Sequence, residues 1–224
     1  MELLCGARRV LLLVGAVLAT VVKGQTPLYP RNLGFVYGNG FANATVRLDI
    51  FIDLICPDSQ AALPIVVRLT DLYGPDKLQL VTHLFPLPYH RAGFYAAKGA
   101  LVVDVLSQGH GTYDWFTAVF DTMAFLHNSA IHYLSDASLV LRLARLADYV
   151  LPGSGGLFQQ MVDSRRAESY TRAAWKYACS RGVSEAPTFL VNDRVVAATA
   201  TWTLQQWRDL LDPLMDAGAS PKPH

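Results

Sequence analysis

Hydrophobic and polar residues alternate along residues 45–55, which is the two-residue repeat of a β-strand. Five apolar residues hold the alternate positions: Val46, Leu48, Ile50, Ile52 and Leu54. Phe51, which lies between them, indicates that both faces of this strand are partly buried. A second strand is predicted from Leu78 to Leu84, before the prolines at positions 86 and 88.

A helical pattern follows the first strand directly and runs to Tyr73. Cys56 precedes this helix, and Pro57 suits its first position because proline lacks only an N–H that has no helical partner there. Pro64 lies inside the same pattern and should kink the helix. The sequence therefore predicts a strand that leads into a cysteine at a helix N-terminus.

Apolar residues recur at helical spacing through most of the remaining chain. The predicted helices cover residues 90–107, 113–126, 136–150, 157–162, 164–181 and 203–212. Two short strands, 188–191 and 194–197, flank the pair Asn192-Asp193, which is typical of a hairpin turn. Strands near both ends with helices between them predict an α/β fold, with one sheet interrupted by a helical insertion at about residues 90–163.

The composition excludes several classes of protein. Hydrophobic residues make up 52% and charged residues 17%, which is incompatible with a disordered chain. The net charge is +1 and no long basic run occurs, so we expect no binding to nucleic acid. Six histidines are present, but none has the spacing of a zinc motif, and no metal site is predicted.

The N-terminus resembles a secretory signal peptide. Arg8 and Arg9 precede an apolar run at residues 10–22, which is too short to span a membrane. We predict cleavage after Gly24; the alternative is an uncleaved signal anchor. The mature chain has no other run of membrane length, so the protein should be secreted or lie in the endoplasmic reticulum lumen.

The predicted organisation is a signal peptide at residues 1–24, an N-terminal segment at 25–44, one domain at 45–215 and a flexible tail at 216–224. The sequence Asn43-Ala44-Thr45 is an acceptor for N-glycosylation and is expected to carry a surface glycan, unless the site is unused. Cleavage leaves Cys56 and Cys179 as the cysteines of the mature chain, too few for a disulfide scaffold.

Several segments resemble a known superfamily. Cys56 at a helix start, Pro64 and the late Ala186-Pro187-Thr188 resemble the thioredoxin fold, and the helical insertion resembles its DsbA-like branch. The segments I-D-L-I-C-P-D-S, H-L-F-P-L-P-Y-H, K-Y-A-C-S-R-G-V and W-R-D-L-L-D-P-L resemble plant-type secreted members with a C-P-D-S motif. The resemblance spans about residues 44–215 and implies a thioredoxin fold with a DsbA-like helical insertion.

The resemblance also implies the location of a site. Pro187 is expected to follow a cis peptide bond and to face Cys56. In this fold the loop at Ala186 and Thr188 exposes main-chain groups that pair with an extended client or with glutathione. Helix N-termini stabilise a thiolate, so Cys56 is the expected nucleophile.

The fourth position of the motif is Ser59, where dithiol oxidoreductases have a second cysteine. A serine cannot resolve a mixed disulfide, so an external thiol must do so. Asp58 replaces the histidine of the DsbA-like oxidants, and its like charge should weaken the nucleophile. Pro57 and Asp58 flank the expected binding site, and His90 either overhangs Cys56 or faces solvent at a helix N-terminus.

These residues predict a secretory-pathway protein that engages client or glutathione thiols through a single cysteine, without net dithiol turnover. Two alternatives stay open: a redox-inactive binding or chaperone module that uses the proline groove, and a glutathione-dependent isomerase or transferase. No resident cofactor is expected, except that glutathione remains open. Cys179 is predicted to be a small buried residue, with a backup resolving thiol as the alternative.

Overall fold

The computed structural model describes residues 33–217. The predicted signal peptide, residues 25–32 of the predicted N-terminal segment and the tail beyond 217 lie outside these residues. Within the described part, five strands form one sheet in the order β1-β3-β2-β4-β5. Their bounds are β1 Phe35–Val36, β2 Val46–Ile52, β3 Leu78–Leu84, β4 Thr188–Val191 and β5 Arg194–Val196.

The centre of the sheet is the parallel pair β2 and β3, in which Val46 is opposite Leu78 and Ile52 is opposite Leu84. Strand β4 runs antiparallel on the other side of β2, with Phe51 opposite Thr188. The carboxyl end of β2 therefore meets the start of β4. This register places the segment that follows β2 beside the segment that precedes β4.

The first strand, β1, was not predicted from the sequence. It pairs antiparallel with β3, with Phe35 opposite Thr82 and Val36 opposite Val81. A strand of two residues is too short to show an alternating pattern, so no sequence pattern could predict it. Part of the segment before residue 45 thus belongs to the sheet.

Helix α1, Pro57–Tyr73, begins immediately after Cys56, as predicted. Cys56 is the N-cap residue and has extended backbone angles, φ −97° and ψ 122°. Pro57 opens the first turn, and the helix continues past Pro64 without interruption. The predicted strand–cysteine–helix arrangement is confirmed.

The helices after β3 also follow the predicted pattern closely. They are α2 Gly93–Leu106, α3 Thr112–Asp121, a 3-10 turn at Met123–Phe125, α4 Asn128–Ile131, α5 Asp136–Val150, α6 Gly155–Val162, α7 Arg165–Ser180 and, after β5, α8 Leu204–Ala217. The side chains of Ser135 and Ser164 cap α5 and α7 by accepting hydrogen bonds from Ser138 N and Ala167 N, each at 3.2 Å. The short helix α4 was not predicted, because four residues complete only one turn.

The buried residues form two clusters. The larger cluster fills the space between the sheet and the helices and includes Trp115, Phe116, Phe158 and Trp207. A smaller cluster brings together Phe51, Cys56, Phe85, Leu87, Ala178, Val183 and Leu190. Helix α7, which packs against α2 and β3, supplies one wall of the smaller cluster. Cys56 is thus held in a packed apolar environment of its own.

Candidate functional site

Cys56 lies beside the loop that precedes β4. Its Sγ atom donates a hydrogen bond to the carbonyl oxygen of Ala186 at 3.4 Å. The peptide bond between Ala186 and Pro187 is cis. Only 6% of Cys56 is exposed, so the residue is almost completely buried. The structure therefore brings the predicted nucleophile and the predicted proline loop together.

Thr188 follows in this loop as the first residue of β4, and its side chain is half-buried. The hydroxyl of Thr188 donates to the carbonyl oxygen of Glu185 at 2.8 Å. This bond closes a tight turn around the cis peptide. The loop is consequently ordered by its own hydrogen bonds rather than by a contact with Cys56 alone.

The remaining motif residues divide into exposed and buried positions. Pro57 and Asp58 are exposed on the first turn of α1. Ser59 is fully buried, and its hydroxyl accepts a hydrogen bond from the backbone N–H of Asp53 at 3.2 Å. Within residues 33–217, no hydrogen bond joins Ser59 to Cys56, because the hydroxyl points to the turn behind the thiol.

Asp53 is the residue that the sequence reasoning missed. It is 1% exposed, and its carboxylate accepts three hydrogen bonds: from Ile55 N at 2.8 Å, Leu87 N at 2.8 Å and His90 Nδ1 at 2.7 Å. Its carbonyl oxygen also accepts from Cys56 N at 3.0 Å. A buried carboxylate requires such partners. The available signal was an acidic residue at the end of a buried strand.

His90 was predicted to open the first helix of the insertion, and this was wrong: it lies in the turn before α2. Its side chain is 17% exposed and is fixed by the bond to Asp53. The described contacts of His90 do not include Cys56. His90 therefore reaches the Cys56 turn indirectly, through Asp53, and its other face borders a cavity.

This cavity, of about 640 Å³, lies between the segment that follows β3 and helix α7. Leu87 and His90 line one part, and Trp175 lines another. Trp175 stacks on Phe85 with 5.8 Å between ring centroids and 10° between planes. Leu87 and Phe85 both belong to the cluster around Cys56, so the cavity adjoins the candidate site.

A second buried carboxylate, that of Asp49 on β2, lies near the smaller cluster. The carboxylate of Asp49 accepts hydrogen bonds from His83 Nε2 at 2.7 Å and from Arg47 Nη2 at 2.8 Å. Burial acts to raise the pKa of Asp49, but the bonds from His83 and Arg47 outweigh it and hold that pKa below its ordinary value. The ring of Phe51 stacks on His83, at 4.5 Å. This ion pair therefore supports the strand residues that pack around Cys56.

Cys179 was predicted to be buried, and this was wrong. It is exposed and unpaired. The buried face of α7 includes Ala167, Thr171, Ala174 and Ala178. Because each helical residue is rotated by about 100° from the last, a cysteine directly after Ala178 leaves that face.

The other predicted features concern the surface and metals. Asn43 is exposed in the turn before β2, where a glycan would be accessible. Within residues 33–217, no three side chains of the His, Cys, Asp or Glu types form a group that would hold a metal ion. No helix in this part of the chain is both long and apolar enough to cross a membrane.

No protein-family model and no curated protein sequence matches the chain. Solved structures do match it. A candidate protein-disulfide isomerase from Pseudomonas syringae has 18% identity and a TM-score of 0.67, over 79% of this chain and 97% of that one. BdbD from Bacillus subtilis in its oxidised form has 14% identity and a TM-score of 0.64, over 82% and 94%.

A third match is alpha-DsbA1 from Wolbachia pipientis, with 18% identity and a TM-score of 0.60, over 85% of this chain and 95% of that one. Each match covers nearly the whole of the solved chain. Identities this low establish the fold and nothing finer. The protein has a thioredoxin fold with a DsbA-like helical insertion.

Proposed function

We propose that the protein acts in the secretory pathway and engages thiols of client proteins, or of glutathione, through Cys56 alone. The observation that carries the proposal is the 3.4 Å contact between Cys56 Sγ and the Ala186 carbonyl oxygen. A client strand that pairs with the main chain of this loop would bring its own sulfur to Cys56.

The proposed reaction is a thiol–disulfide exchange. The Cys56 thiolate attacks one sulfur of a client disulfide, the client S–S bond breaks, and a Cys56–client disulfide forms. The second client sulfur leaves as a thiolate and takes a proton from water. The thiolate of an external thiol such as glutathione then attacks the client sulfur of the mixed disulfide, which forms a client–glutathione disulfide and releases Cys56 as a thiolate. The exchange is balanced, with no net oxidation of the protein.

Two observations favour a single-cysteine mechanism over a dithiol one. Position 59 is a buried serine whose hydroxyl bonds to Asp53 N. Cys56 and Cys179 are both unpaired, the first buried and the second exposed on the last turn of α7. Ser59 has no sulfur, and Cys179 is not bonded to Cys56. The second step is therefore assigned to a thiol from outside.

A second candidate function is a redox-inactive binding module that uses the same loop. The low exposure of Cys56, 6%, is the observation that favours it. In that case the groove binds extended chains, and the thiol only fills space and bonds to Ala186. The two functions differ in whether Cys56 forms covalent bonds to clients.

The test is capture of mixed disulfides on the full chain expressed in the secretory pathway. Cells are quenched with acid and alkylated, and disulfide-linked complexes are compared between the natural protein, Cys56→Ser and Cys179→Ser. Complexes that require Cys56 and survive Cys179→Ser support the thiol function. Complexes that are absent from all three, while non-covalent clients co-purify, support the binding module.

The secretory location is proposed together with the function and has its own measurement. Cleavage after Gly24 and a glycan on Asn43 predict a defined N-terminus and a mass that falls after glycosidase treatment. Asn43→Gln should remove the same mass without enzyme. A protein that retains residues 1–24 and its unmodified mass would contradict this location.

A further inference from the structure

The cavity beside the Cys56 site has an aromatic and a charged part. Phe94 and Trp175 are among the residues that line it, and Trp175 is 38% exposed. An exposed indole that stacks on buried Phe85 offers a rigid apolar face to a ligand. Leu87 belongs to both the cavity wall and the Cys56 cluster. The cavity therefore adjoins the place that a chain bound at Cys56 would occupy.

Basic groups outnumber acidic groups in the cavity wall. The basic residues are His90, Arg91, Lys98, Arg172 and Lys176, and the acidic residue is Glu168. Only a basic residue without an acidic partner can favour a ligand with negative charge.

Several of these cations are already neutralised by neighbours. Arg91 pairs with Asp136 at 2.9 Å, and buried Lys98 pairs with Asp163 at 2.7 Å. These two cations are held in place by their partners and are not available to a ligand. Apart from His90, which is bonded to Asp53, the remaining basic residues of the wall lie on α7.

Arg172 and Lys176 lie four residues apart on the same face of α7. Arg172 pairs with Glu168 through Nε at 2.6 Å, so its charge is compensated in the same way as those of Arg91 and Lys98. Lys176 is exposed and has no ion pair or hydrogen bond within the part of the chain that the structure describes. Among the basic residues of the wall, Lys176 is therefore the one whose charge no acidic side chain within residues 33–217 compensates.

We infer that this cavity binds an acidic segment of the client chain, with Lys176 facing its carboxylates and Trp175 facing its apolar part. The inference rests on the proposed function, because it assigns the stretch of client next to the cysteine held at Cys56. Its chemistry predicts a selection: among exposed cysteines, those flanked by Asp or Glu bind in preference to those flanked by Lys or Arg.

The test measures binding without covalent chemistry. Three labelled peptides of equal length carry Glu, Gln or Lys on both sides of one serine, and they are titrated against the full Cys56→Ser chain by fluorescence anisotropy. The Glu peptide should bind more tightly than the Gln peptide, and the Lys peptide least. The preference for Glu should decrease as salt is raised, because exposed charges are screened.

Charge reversal locates the site. Lys176→Glu should lower the affinity for the Glu peptide by about threefold and raise the affinity for the Lys peptide by a similar factor. The matched control is Arg166→Glu, an exposed residue of the same helix that does not line the cavity. Equal effects of the two variants would show that the preference depends on the overall charge of the helix. That result would contradict the proposed binding site.

The two proposals fail in different ways. The acidic-segment inference is wrong if the three peptides bind equally. It is also wrong if glutathione binds at this cavity and the Glu peptide does not. In either case the thiol function stands. If the Glu peptide binds as expected but no client disulfide forms on Cys56, the thiol function is wrong and the cavity serves a binding module.

Discussion

Asp53 Oδ2 lies 2.7 Å from His90 Nδ1, and this contact ties the turn that carries Cys56 to the segment that opens the helical insertion. The same oxygen accepts from Leu87 N at 2.8 Å. One buried carboxylate thus fixes two chain segments that are distant in sequence, and both border the candidate site. The position of the cavity relative to Cys56 depends on this link.

The first prediction concerns Asp53. Asp53→Ala leaves the buried N–H groups of Ile55 and Leu87 without acceptors, so the free energy of unfolding should fall by about 3 kcal/mol. Denaturant unfolding measures this loss. Asp58→Ala is the matched control, because it removes an exposed carboxylate from the same motif and should change the free energy by less than about 0.5 kcal/mol.

Asp53→Ala should also change the site itself. With its turn released, Cys56 should be alkylated faster than in the natural protein, under conditions where both proteins are folded. An unchanged alkylation rate together with the full loss of stability would show that Asp53 holds the fold and not the thiol.

The second prediction concerns Gly93, the first residue of α2. A Cβ atom at this position would lie 3.1 Å from Asp53 Oδ1 and 3.3 Å from Pro86 Cβ. Gly93→Ala should therefore press on the carboxylate and lower the free energy of unfolding by about 1 kcal/mol or more. Thermal unfolding at constant pH measures the change.

Gly156 provides the control for this substitution. It is exposed in helix α6, and a Cβ there would contact nothing. Gly156→Ala should stabilise the protein by about 0.5–1 kcal/mol, since alanine has the higher helix propensity. If both alanines stabilise, the contact with Asp53 imposes no cost at position 93.

The sequence was sufficient to predict most of the fold for a physical reason. The alternation in β2, the apolar run in β3 and the proline after Cys56 are local signals that the tertiary structure did not override. The turn at Asn192 and Asp193 is equally local, because both residues adopt positive φ, 47° and 65°. The DsbA-like resemblance added what local signals lack, the closeness of Cys56 to Ala186.

What the sequence did not predict depends on pairing across the chain. The role of Asp53 requires Leu87 and His90, which are more than 30 residues away, and no local pattern marks such a group. The exposure of Cys179 depends on which face of α7 meets the sheet. The small residues on both sides of Cys179 had indicated a buried position.

The third prediction is a loss of stability in acid. The pKa of Asp49 lies below its ordinary value in the folded protein, so its ion pair contributes stability that is fully present above the ordinary carboxyl pKa. That contribution is lost as the pH falls through the lowered pKa of Asp49. The free energy of unfolding should therefore decrease steeply at acid pH.

Asp49→Asn tests the assignment. It removes the titrating group and leaves Arg47 and His83 without their carboxylate, so the variant should be less stable at neutral pH and show a shallower decrease in acid. Urea unfolding between pH 7 and pH 3 gives both quantities. An identical slope for the two proteins would assign the acid loss to other carboxyl groups.

The last prediction concerns the fourth motif position. Ser59→Cys places a second thiol one helical turn from Cys56, since residues three apart share a helix face. The new side chain must turn away from Asp53 N, to which the Ser59 hydroxyl now bonds. We expect a reversible disulfide under mild oxidation and measurable insulin reduction in the presence of dithiothreitol, where the natural protein shows little of either.

Asp58 and Ser59 together set the strength of this engineered site. In the Ser59→Cys background, Asp58→His should make the disulfide more oxidising, because a nearby cation stabilises the thiolate of the reduced form and a carboxylate disfavours it. Ser59→Ala is the control, since it removes the bond to Asp53 without supplying sulfur and should gain no turnover. A Ser59→Cys protein that folds normally but never forms the disulfide would show that Cys56 is held too far from the helix face, and the binding-module function would then be the better account of the site.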